Sequence, residues 1–222
     1  MNITLDERLF TCAEFVRENS VLADVGTDHA YLPAFLLKQG KIRFALCCDI
    51  NEKPLESAKA TVKEYGVANR VKLYLCDGLS GVEKDEFSDL VIAGMGGEMI
   101  IKILTDCPYI KDEKYNLVLQ PMTKAYELRR FLCENGFLIK DEKAAESNNK
   151  IYTVINAVFC GKAQNQDEKY YYFGEFLRKN DEKSQKYKQK IKNSLIKKAK
   201  GILSADNENT QAKAIVSLCE DI

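Results

Sequence analysis

The fold of this 222-residue chain is decided by residues 21–33, which read VLADVGTDHAYLP. The apolar residues before Gly26 predict a short strand, Gly26 predicts a tight turn, and the residues from Ala30 onward predict a helix. This order is typical of the first βα turn of a nucleotide-binding α/β domain. Because glycine has no Cβ atom, Gly26 lets the backbone approach a ligand closely.

Two carboxylates give this turn an unusual charge. Dinucleotide-binding turns continue as G-x-G-x-x-G, but Asp28 stands at the place of the second glycine and Asp24 precedes the turn. The carboxylates would repel a pyrophosphate and attract a cation. S-adenosylmethionine carries a sulfonium and an ammonium and has no phosphate. The turn therefore favours S-adenosylmethionine as cofactor over NAD or ATP, and a nucleotide-dependent oxidoreductase is the less favoured alternative.

Apolar runs alternate with helical patterns through the first 161 residues. Non-alternating apolar strands joined by helices are typical of a parallel sheet covered on both faces. The last two strands have no full helix between them, which predicts an antiparallel pair at one edge. We therefore predict an α/β fold with a Rossmann-like, mostly parallel sheet. The predicted strands are 21–25, 44–49, 71–76, 90–93, 116–119, 136–142 and 151–160, and the predicted helices are 5–17, 30–39, 52–65, 98–105 and 125–134.

Acidic and glycine residues follow the predicted strands at their carboxyl ends, where ligands bind in such sheets. Asp49 could accept hydrogen bonds from ribose hydroxyls, or it could simply cap the next helix. Asp77 could accept from an adenine amino group, with Gly78 giving room, although Asp-Gly is also a common turn. The predicted cofactor-binding residues are Asp24, Gly26, Asp28, His29, Asp49, Asp77, Gly78, Ala93, Gly94 and Met95.

Three side chains at the first turn are candidates for direct roles in chemistry. Asp28 has no Lys or Arg near it in the sequence, so it is either a functional acid or a solvated loop residue. His29 is the only histidine, and a structural role and a proton-transfer role both stay open. Tyr31 could stack on a substrate base or be a buried aromatic of the helix.

After Gly161 the composition changes, and we predict a second domain at 162–222 beside a first domain at 1–161. Helical patterns at 170–179 and 181–202, with a final apolar stripe after 209, predict a helical hairpin. Residues 162–200 contain 12 Lys and Arg against 5 Asp and Glu, which favours a polyanionic partner or else a solvated surface. Eight lysines of the long helix are predicted to lie along phosphates: Lys183, Lys186, Lys188, Lys190, Lys192, Lys197, Lys198 and Lys200.

Other classes of protein are disfavoured by composition. The eight cysteines form no C-x-x-C pair and only one histidine is present, so we predict no metal site and mostly buried, reduced cysteines. The chain has no apolar run of membrane-spanning length and no signal-peptide core near its beginning. We therefore expect a cytoplasmic protein without a membrane partner. Its oligomeric state stays open, with a monomer slightly favoured.

Three segments together resemble the TrmK family of bacterial tRNA (adenine-22-N1)-methyltransferases: DVGTDHAYLP at 24–33, AGMGG at 93–97 and LQP at 119–121. LDERL at 5–9 and KIY at 150–152 also fit, so the resemblance covers about residues 3–160. It implies a class I methyltransferase fold, S-adenosylmethionine as methyl donor, and a helical C-terminal domain implicated in tRNA binding. In that family the residue after Gln-Pro is commonly Asn, whereas here it is Met122, which puts a polar substrate contact at this position in doubt.

The resemblance leads to a specific hypothesis, methyl transfer to N1 of adenine 22 in tRNA. Adenine N1 has a lone pair, so no strong base is needed, and the product base is cationic. Asp28 is the predicted catalytic residue, either stabilising that charge or accepting a proton from the amino group. The predicted substrate-binding residues are Arg8, Tyr31, Gly96, Gly97, Gln120, Lys190 and Lys197. The alternatives are a methyltransferase acting on a small molecule or protein, and a non-catalytic cofactor-binding protein that interacts with RNA.

Overall fold

The computed structural model describes residues 3–220 and 222. One sheet of seven strands carries helices on both faces. The strands are β1 (Ser20–Val25), β2 (Ile42–Asp49), β3 (Val71–Leu75), β4 (Asp89–Gly96), β5 (Asn116–Thr123), β6 (Phe137–Ser147) and β7 (Lys150–Phe159). The helices are α1 (Glu7–Phe15), α2 (Tyr31–Lys38), α3 (Glu52–Glu64), α4 (Gly97–Thr105), α5 (Ala125–Glu134), α6 (Glu168–Phe173), α7 (Glu182–Ala205) and α8 (Thr210–Leu218).

The strand order is β3-β2-β1-β4-β5-β7-β6, with β1 to β5 parallel and β7 antiparallel to both of its neighbours. The predicted Rossmann-like sheet with an antiparallel pair at one edge is therefore confirmed. The chain runs outward from β1 to β3 and then returns to place β4 on the other side of β1. This reversal opens a crevice at the carboxyl ends of β1 and β4, where ligands bind in open α/β sheets.

The apolar run of β4 shows why the central strands do not alternate. Leu90 and Ile92 lie in the core on one face of the sheet, and Val91 lies in the core on the other. All three side chains are completely buried. Both faces therefore exclude water, and each strand residue contributes apolar burial, roughly 1.5–3 kcal/mol for a fully buried aliphatic side chain.

Strands β4 and β5 are longer than their apolar runs indicated. β4 continues through the glycine segment to Gly96, with register shifts on either side of Met95, and β5 continues to Thr123. Met95 pairs with Pro121 and Gly96 pairs with Thr123. The segment 94–96, which falls between the predicted strand 90–93 and the predicted helix 98–105, is thus an irregular end of the strand, because the neighbouring strand supplies backbone partners there.

The predicted helix at 170–179 is interrupted. α6 ends at Phe173, and residues Gly174–Arg178 form a short 3-10 helix. Gly174 has a φ of +60°, and a Cβ atom there would lie 2.0 Å from Oε1 of Glu142. The break is needed because the backbone passes directly over a buried carboxylate.

That carboxylate belongs to a buried ion pair between Arg129 of α5 and Glu142 of β6, both completely buried. The Arg129 guanidinium donates to Glu142 at 2.8–3.1 Å, to the carbonyls of Tyr171 and Tyr172 at 3.1 and 2.9 Å, and to the hydroxyl of Tyr187 at 3.0 Å. Residues after 161 therefore supply three of its acceptors. The division into domains at 161 stays a prediction, but a chain ending there would leave this buried cation short of partners.

Among the residues that the structure describes, no helix is both long and apolar enough to span a membrane. Within the same residues, no cluster of three or more His, Cys, Asp or Glu side chains could hold a metal ion. Six of the eight cysteines are buried, as predicted, while Cys76 is half-buried and Cys160 is exposed.

We expect Arg129→Ala to lower the free energy of unfolding by about 3–5 kcal/mol, because the carboxylate of Glu142 would stay buried without its cation. Urea unfolding followed by circular dichroism measures this loss. The control is Arg178→Ala, which removes an arginine whose side chain is 81% exposed and 3.5 Å from Glu175. That surface pair should contribute less than about 1 kcal/mol. Equal losses in the two variants would show that the buried pair has no special role.

Candidate active site

The turn after β1 is held rigidly at the crevice between β1 and β4. Gly26 has a φ of +78°, and its N–H and that of Thr27 both donate to the carbonyl of Cys48, at 2.8 and 3.1 Å. The hydroxyl of Thr27 donates to Oδ2 of Asp24 at 2.5 Å. A left-handed conformation favours glycine at position 26.

Asp24 is a buried acid that forms no ion pair within the described part of the chain. Burial raises the pKa of Asp24 to about 6, and the hydrogen bond from Thr27 opposes that rise. A carboxylate kept from water and lacking a cation is strongly stabilised by a positively charged ligand. The predicted cofactor-binding role of Asp24 is therefore supported by its environment.

Two pockets meet at Gly26, which lines both of them. The first, the turn pocket, encloses about 460 Å³. The second, the strand-end pocket, encloses about 360 Å³. The turn pocket is lined by Arg8, Leu9, Asp24, Gly26, Thr27, Asp28, His29, Ala30, Tyr31, Leu32, Ala93, Gly94 and Met122. The strand-end pocket is lined by Val25, Gly26, Asp49, Ile50, Cys76, Asp77, Gly78, Met95, Gly96, Met99 and Ile103.

The strand-end pocket combines apolar walls with acids. Ile50 and Met99 are 62% and 47% exposed, which leaves apolar surface for a ligand to cover. One oxygen of Asp49 accepts hydrogen bonds from the backbone and side chain of Asn51, at 2.8 and 3.3 Å. Asp77 lies 3.3 Å from Nζ of Lys102. A flat heterocycle with a hydroxylated sugar fits this lining. Ile50 and Met99 were not predicted from the sequence. The only feature that distinguishes them is that each is an apolar residue at an exposed position.

Met95 lies at the junction of the two pockets. A Cβ atom on Gly26 would be only 2.2 Å from the Met95 methyl carbon. The thioether therefore rests directly on the glycine that both pockets share. A ligand extending past Gly26 from one pocket into the other would pass beside Met95, whose contact with a cofactor stays a prediction.

On the opposite wall, α1 brings Arg8 into the turn pocket. Nη1 of Arg8 donates to Oε1 of Gln120 at 2.9 Å, and Asp6 holds the same guanidinium at 2.8 and 3.0 Å. Arg8 and Gln120 are 112 positions apart in the chain. The Met122 sulfur lies 3.6 Å from Nη1 of Arg8, and Met122 as a residue is 37% exposed and lines the turn pocket. The residue that departs from the family pattern is thus part of the wall.

Gln120, predicted to contact substrate, has its side-chain amide bonded to groups of the protein, and a substrate contact stays a prediction. Its side chain is completely buried. Oε1 accepts from Arg8 and from the backbone of Gly94 at 3.0 Å, and Nε2 donates to the carbonyl of Pro121 at 3.1 Å. Because the amide is already hydrogen bonded on both sides, Gln120 positions Arg8 and the glycine segment.

Asp28, His29 and Tyr31 form the outer rim of the turn pocket. The Asp28 side chain is 79% exposed, and its Oδ2 lies 3.4 Å from Nε2 of His29. The rings of His29 and Tyr31 stack with centroids 5.3 Å apart and planes 22° apart. Tyr31 is 42% exposed, so the interpretation of a buried helix aromatic is wrong. Its stacking on a base stays a prediction.

Of the remaining predicted residues, some line the pockets and one does not. Gly78, Ala93 and Gly94 line the pockets, and Gly96 borders the strand-end pocket. Gly97 is buried, and a Cβ atom there would lie 2.4 Å from the carbonyl oxygen of Lys124. Backbone packing thus accounts for a glycine at this position, and a substrate contact by Gly97 stays a prediction.

Most of the lysines predicted to lie along phosphates have partners inside the protein, and their contact with phosphates stays a prediction. Lys183 and Lys186 pair with Glu7 and Glu146, at 2.6 and 3.0 Å. Lys188 is buried and, like Lys190 and Lys192, donates to a backbone carbonyl. Five of the eight lysines therefore have partners inside the protein. The others, Lys197, Lys198 and Lys200, are exposed and lie outside both pockets.

The chain matches known proteins over most of its length. A methyltransferase domain family matches residues 5–155. The tRNA (adenine(22)-N(1))-methyltransferase of Bacillus subtilis is 35% identical over 155 residues, which cover 70% of this chain and 65% of that protein.

Solved structures agree in fold. The B. subtilis m1A22 tRNA methyltransferase TrmK has a TM-score of 0.81 and 27% identity, covering 99% of this chain and 96% of the other. M. capricolum TrmK, solved with S-adenosylhomocysteine, has a TM-score of 0.80 and 27% identity, covering 97% of this chain and 94% of the other. The resemblance carried by residues 24–33, 93–97 and 119–121 is confirmed: this chain belongs to the methyltransferase domain family and, within it, to the TrmK methyltransferases.

Proposed function

We propose that this protein transfers a methyl group from S-adenosylmethionine to N1 of adenine 22 in tRNA. The observation that carries the proposal is the meeting of two pockets at Gly26, one with apolar walls and the other with carboxylates at its base and rim. The names of the relatives supply the substrate and the position of the base. The proposal implies tRNA as partner and a cytoplasmic location, and a monomer remains slightly favoured.

The cofactor fits the strand-end pocket and the base of the turn pocket. The carboxylate oxygen of Asp49 that does not bond to Asn51 accepts hydrogen bonds from the ribose hydroxyls. Ile50 and Met99 cover the faces of the adenine. Asp77 accepts from the adenine amino group. Asp24, buried and lacking a cation, accepts the ammonium group. When bound, S-adenosylmethionine supplies the reactive methyl group.

The substrate base fits the outer turn pocket, between Tyr31, Met122 and Arg8. Tyr31 offers an exposed ring for stacking, and an adenine that leaves a folded tRNA needs such a partner. Asp28 lies at the rim, where its carboxylate stabilises the positive charge that develops on the base. Met122 contributes an apolar wall, so the polar contacts come from Arg8 and Asp28.

The direct test is methylation of unmodified tRNA transcripts with labelled cofactor, followed by mass-spectrometric mapping of the product. Label at N1 of adenine 22 supports the proposal. Label on another nucleotide, or only on a small molecule or a protein, would identify a methyltransferase of different specificity. Cofactor and tRNA binding with no transfer would identify the non-catalytic alternative.

We expect Asp49→Ala to weaken S-adenosylhomocysteine binding roughly tenfold or more, since hydrogen bonds to a charged group are lost. Isothermal calorimetry measures the dissociation constant. Asp112→Ala is a matched control, because Asp112 accepts from the backbone two residues later at 3.0 Å, as Asp49 does, but lies outside the pockets. Unchanged affinity in Asp49→Ala would remove this residue from the cofactor site.

We expect Asp28→Ala to slow methyl transfer by about 100-fold while cofactor affinity changes little, since the carboxylate acts on the developing charge. Single-turnover rates at saturating tRNA measure the effect. His29→Gln retains the carboxylate and should keep most of the rate. If Asp28→Ala transfers methyl at the wild-type rate, then Asp28 is only a solvated loop residue.

We expect cofactor affinity to fall at acidic pH because of Asp24. Burial raises the pKa of Asp24 to about 6, so the carboxyl takes up a proton as the pH falls from 7 to 5 and loses its attraction for an ammonium. Affinity for S-adenosylhomocysteine should then drop by about tenfold per pH unit well below pH 6. Asp24→Asn should bind weakly and nearly independently of pH, while His29→Gln should keep the pH dependence. A flat wild-type profile would contradict this role of Asp24.

A further inference from the structure

A third cavity, the side groove, continues from the turn pocket toward α7. It encloses about 200 Å³ and is lined by Met122, Lys124, Tyr152, Tyr187 and Lys190, among others. Met122 lines both the turn pocket and the side groove. A chain that leaves the turn pocket past Met122 therefore arrives beside the long C-terminal helix.

Lys190 is the unusual cation of this groove. Its Nζ donates to the carbonyl of Ile151 at 2.5 Å and lies 5.1 Å from the ring centroid of Tyr152. It forms no ion pair with a carboxylate among the described residues, whereas Lys186, one turn earlier, pairs with Glu146 and Glu182. Burial, and secondarily the charge of Lys150, lower the pKa of Lys190. An anion in the groove would compensate this charge.

The position of Lys190 relative to the turn pocket is set by buried contacts. Tyr187, three residues earlier on α7, is 2% exposed and accepts from Arg129 at 3.0 Å. Its ring also packs against Phe176 with centroids 4.4 Å apart. Because residues three apart share a helix face, anchoring Tyr187 also holds Lys190 against the groove.

We propose that the side groove binds a phosphodiester of tRNA next to the methylated adenine, with Lys190 as its cation. The inference rests on the proposed function, since it requires a tRNA adenine in the turn pocket. A base in that pocket carries its ribose and phosphates with it, and the side groove is the adjoining cavity with an uncompensated cation. Such a phosphate contact fixes the register of the strand without reading its sequence. Lys190 is thus a substrate-positioning residue for the reaction.

The experiment combines a protein variant with a tRNA whose backbone is neutral at one site. Lys190→Gln is compared with wild type on tRNA carrying a methylphosphonate at either linkage that flanks adenine 22. Single-turnover rates at subsaturating tRNA are measured, with S-adenosylhomocysteine affinity as the check on folding. Lys198→Gln is the matched control, since Lys198 lies on the same helix, is exposed, and lines none of the pockets named above.

We expect Lys190→Gln and one neutral linkage each to lower the wild-type rate roughly tenfold, as for loss of a charge-assisted contact. Together they should lower it no further, because both remove the same contact. Lys190→Arg should restore most of the rate. For Lys198→Gln, any loss should be additive with the neutral linkage.

Additive losses for Lys190→Gln at both linkages would overturn the inference. So would an unchanged wild-type rate on both neutral tRNAs, an outcome that does not depend on the variant folding. If the wild-type protein fails to methylate adenine 22 of an unmodified tRNA whose phosphodiester linkages are all intact, the proposed function itself is wrong. The two failures are therefore distinguishable.

Discussion

The buried ion pair between Arg129 and Glu142 is the interaction on which the arrangement of this molecule depends. A guanidinium and a carboxylate removed from water are costly unless every polar atom has a partner. Here the partners come from the sheet, from the turn at Gly174 and from α7, so the ion pair requires the C-terminal helices to lie against the sheet. The long helix is thereby attached to the sheet through buried contacts, and its inner face is used for packing.

Because the C-terminal helices pack against the sheet, the lysines of the basic segment 162–200 do not all have the same role. The excess of positive charge in residues 162–200 indicates a polyanionic partner, but charge counting treats all lysines alike. Those near the start of α7 neutralise acids of the sheet domain, such as Glu7 and Glu146. The exposed lysines at its far end extend the surface that could meet RNA by long-range attraction, while Lys190 lines the groove that adjoins the turn pocket. Attraction and positioning are therefore assigned to different parts of one helix.

The turn after β1 carries carboxylates and therefore attracts positive charge, whereas the lysines of α7 attract negative charge. Asp24 is buried at the base of the turn pocket and Asp28 is exposed at its rim, so their environments differ although they are four residues apart. Burial makes Asp24 selective for a ligand that brings its own positive charge, because a neutral ligand would leave the carboxylate uncompensated. Exposure places the carboxylate of Asp28 at the surface, where in the proposed reaction it would face a base that becomes cationic only during methyl transfer. In the proposed function, one short turn thus supplies both cofactor selection and transition-state stabilisation.

The sequence by itself determined the strands, the turn at Gly26, the sheet class and the family, because these depend on local backbone preference, apolar runs and contiguous motifs. It also located the acids, since residues at the carboxyl ends of parallel strands meet at one edge of the sheet. Only the tertiary structure decided which side chains are partners: Arg8 with Gln120, Arg129 with Glu142, and Met95 with Gly26. It also showed which lysines of the long helix have partners inside the protein. The physical reason is that hydrogen bonds and burial depend on distances across the fold, which packing sets and which spacing along the chain does not record.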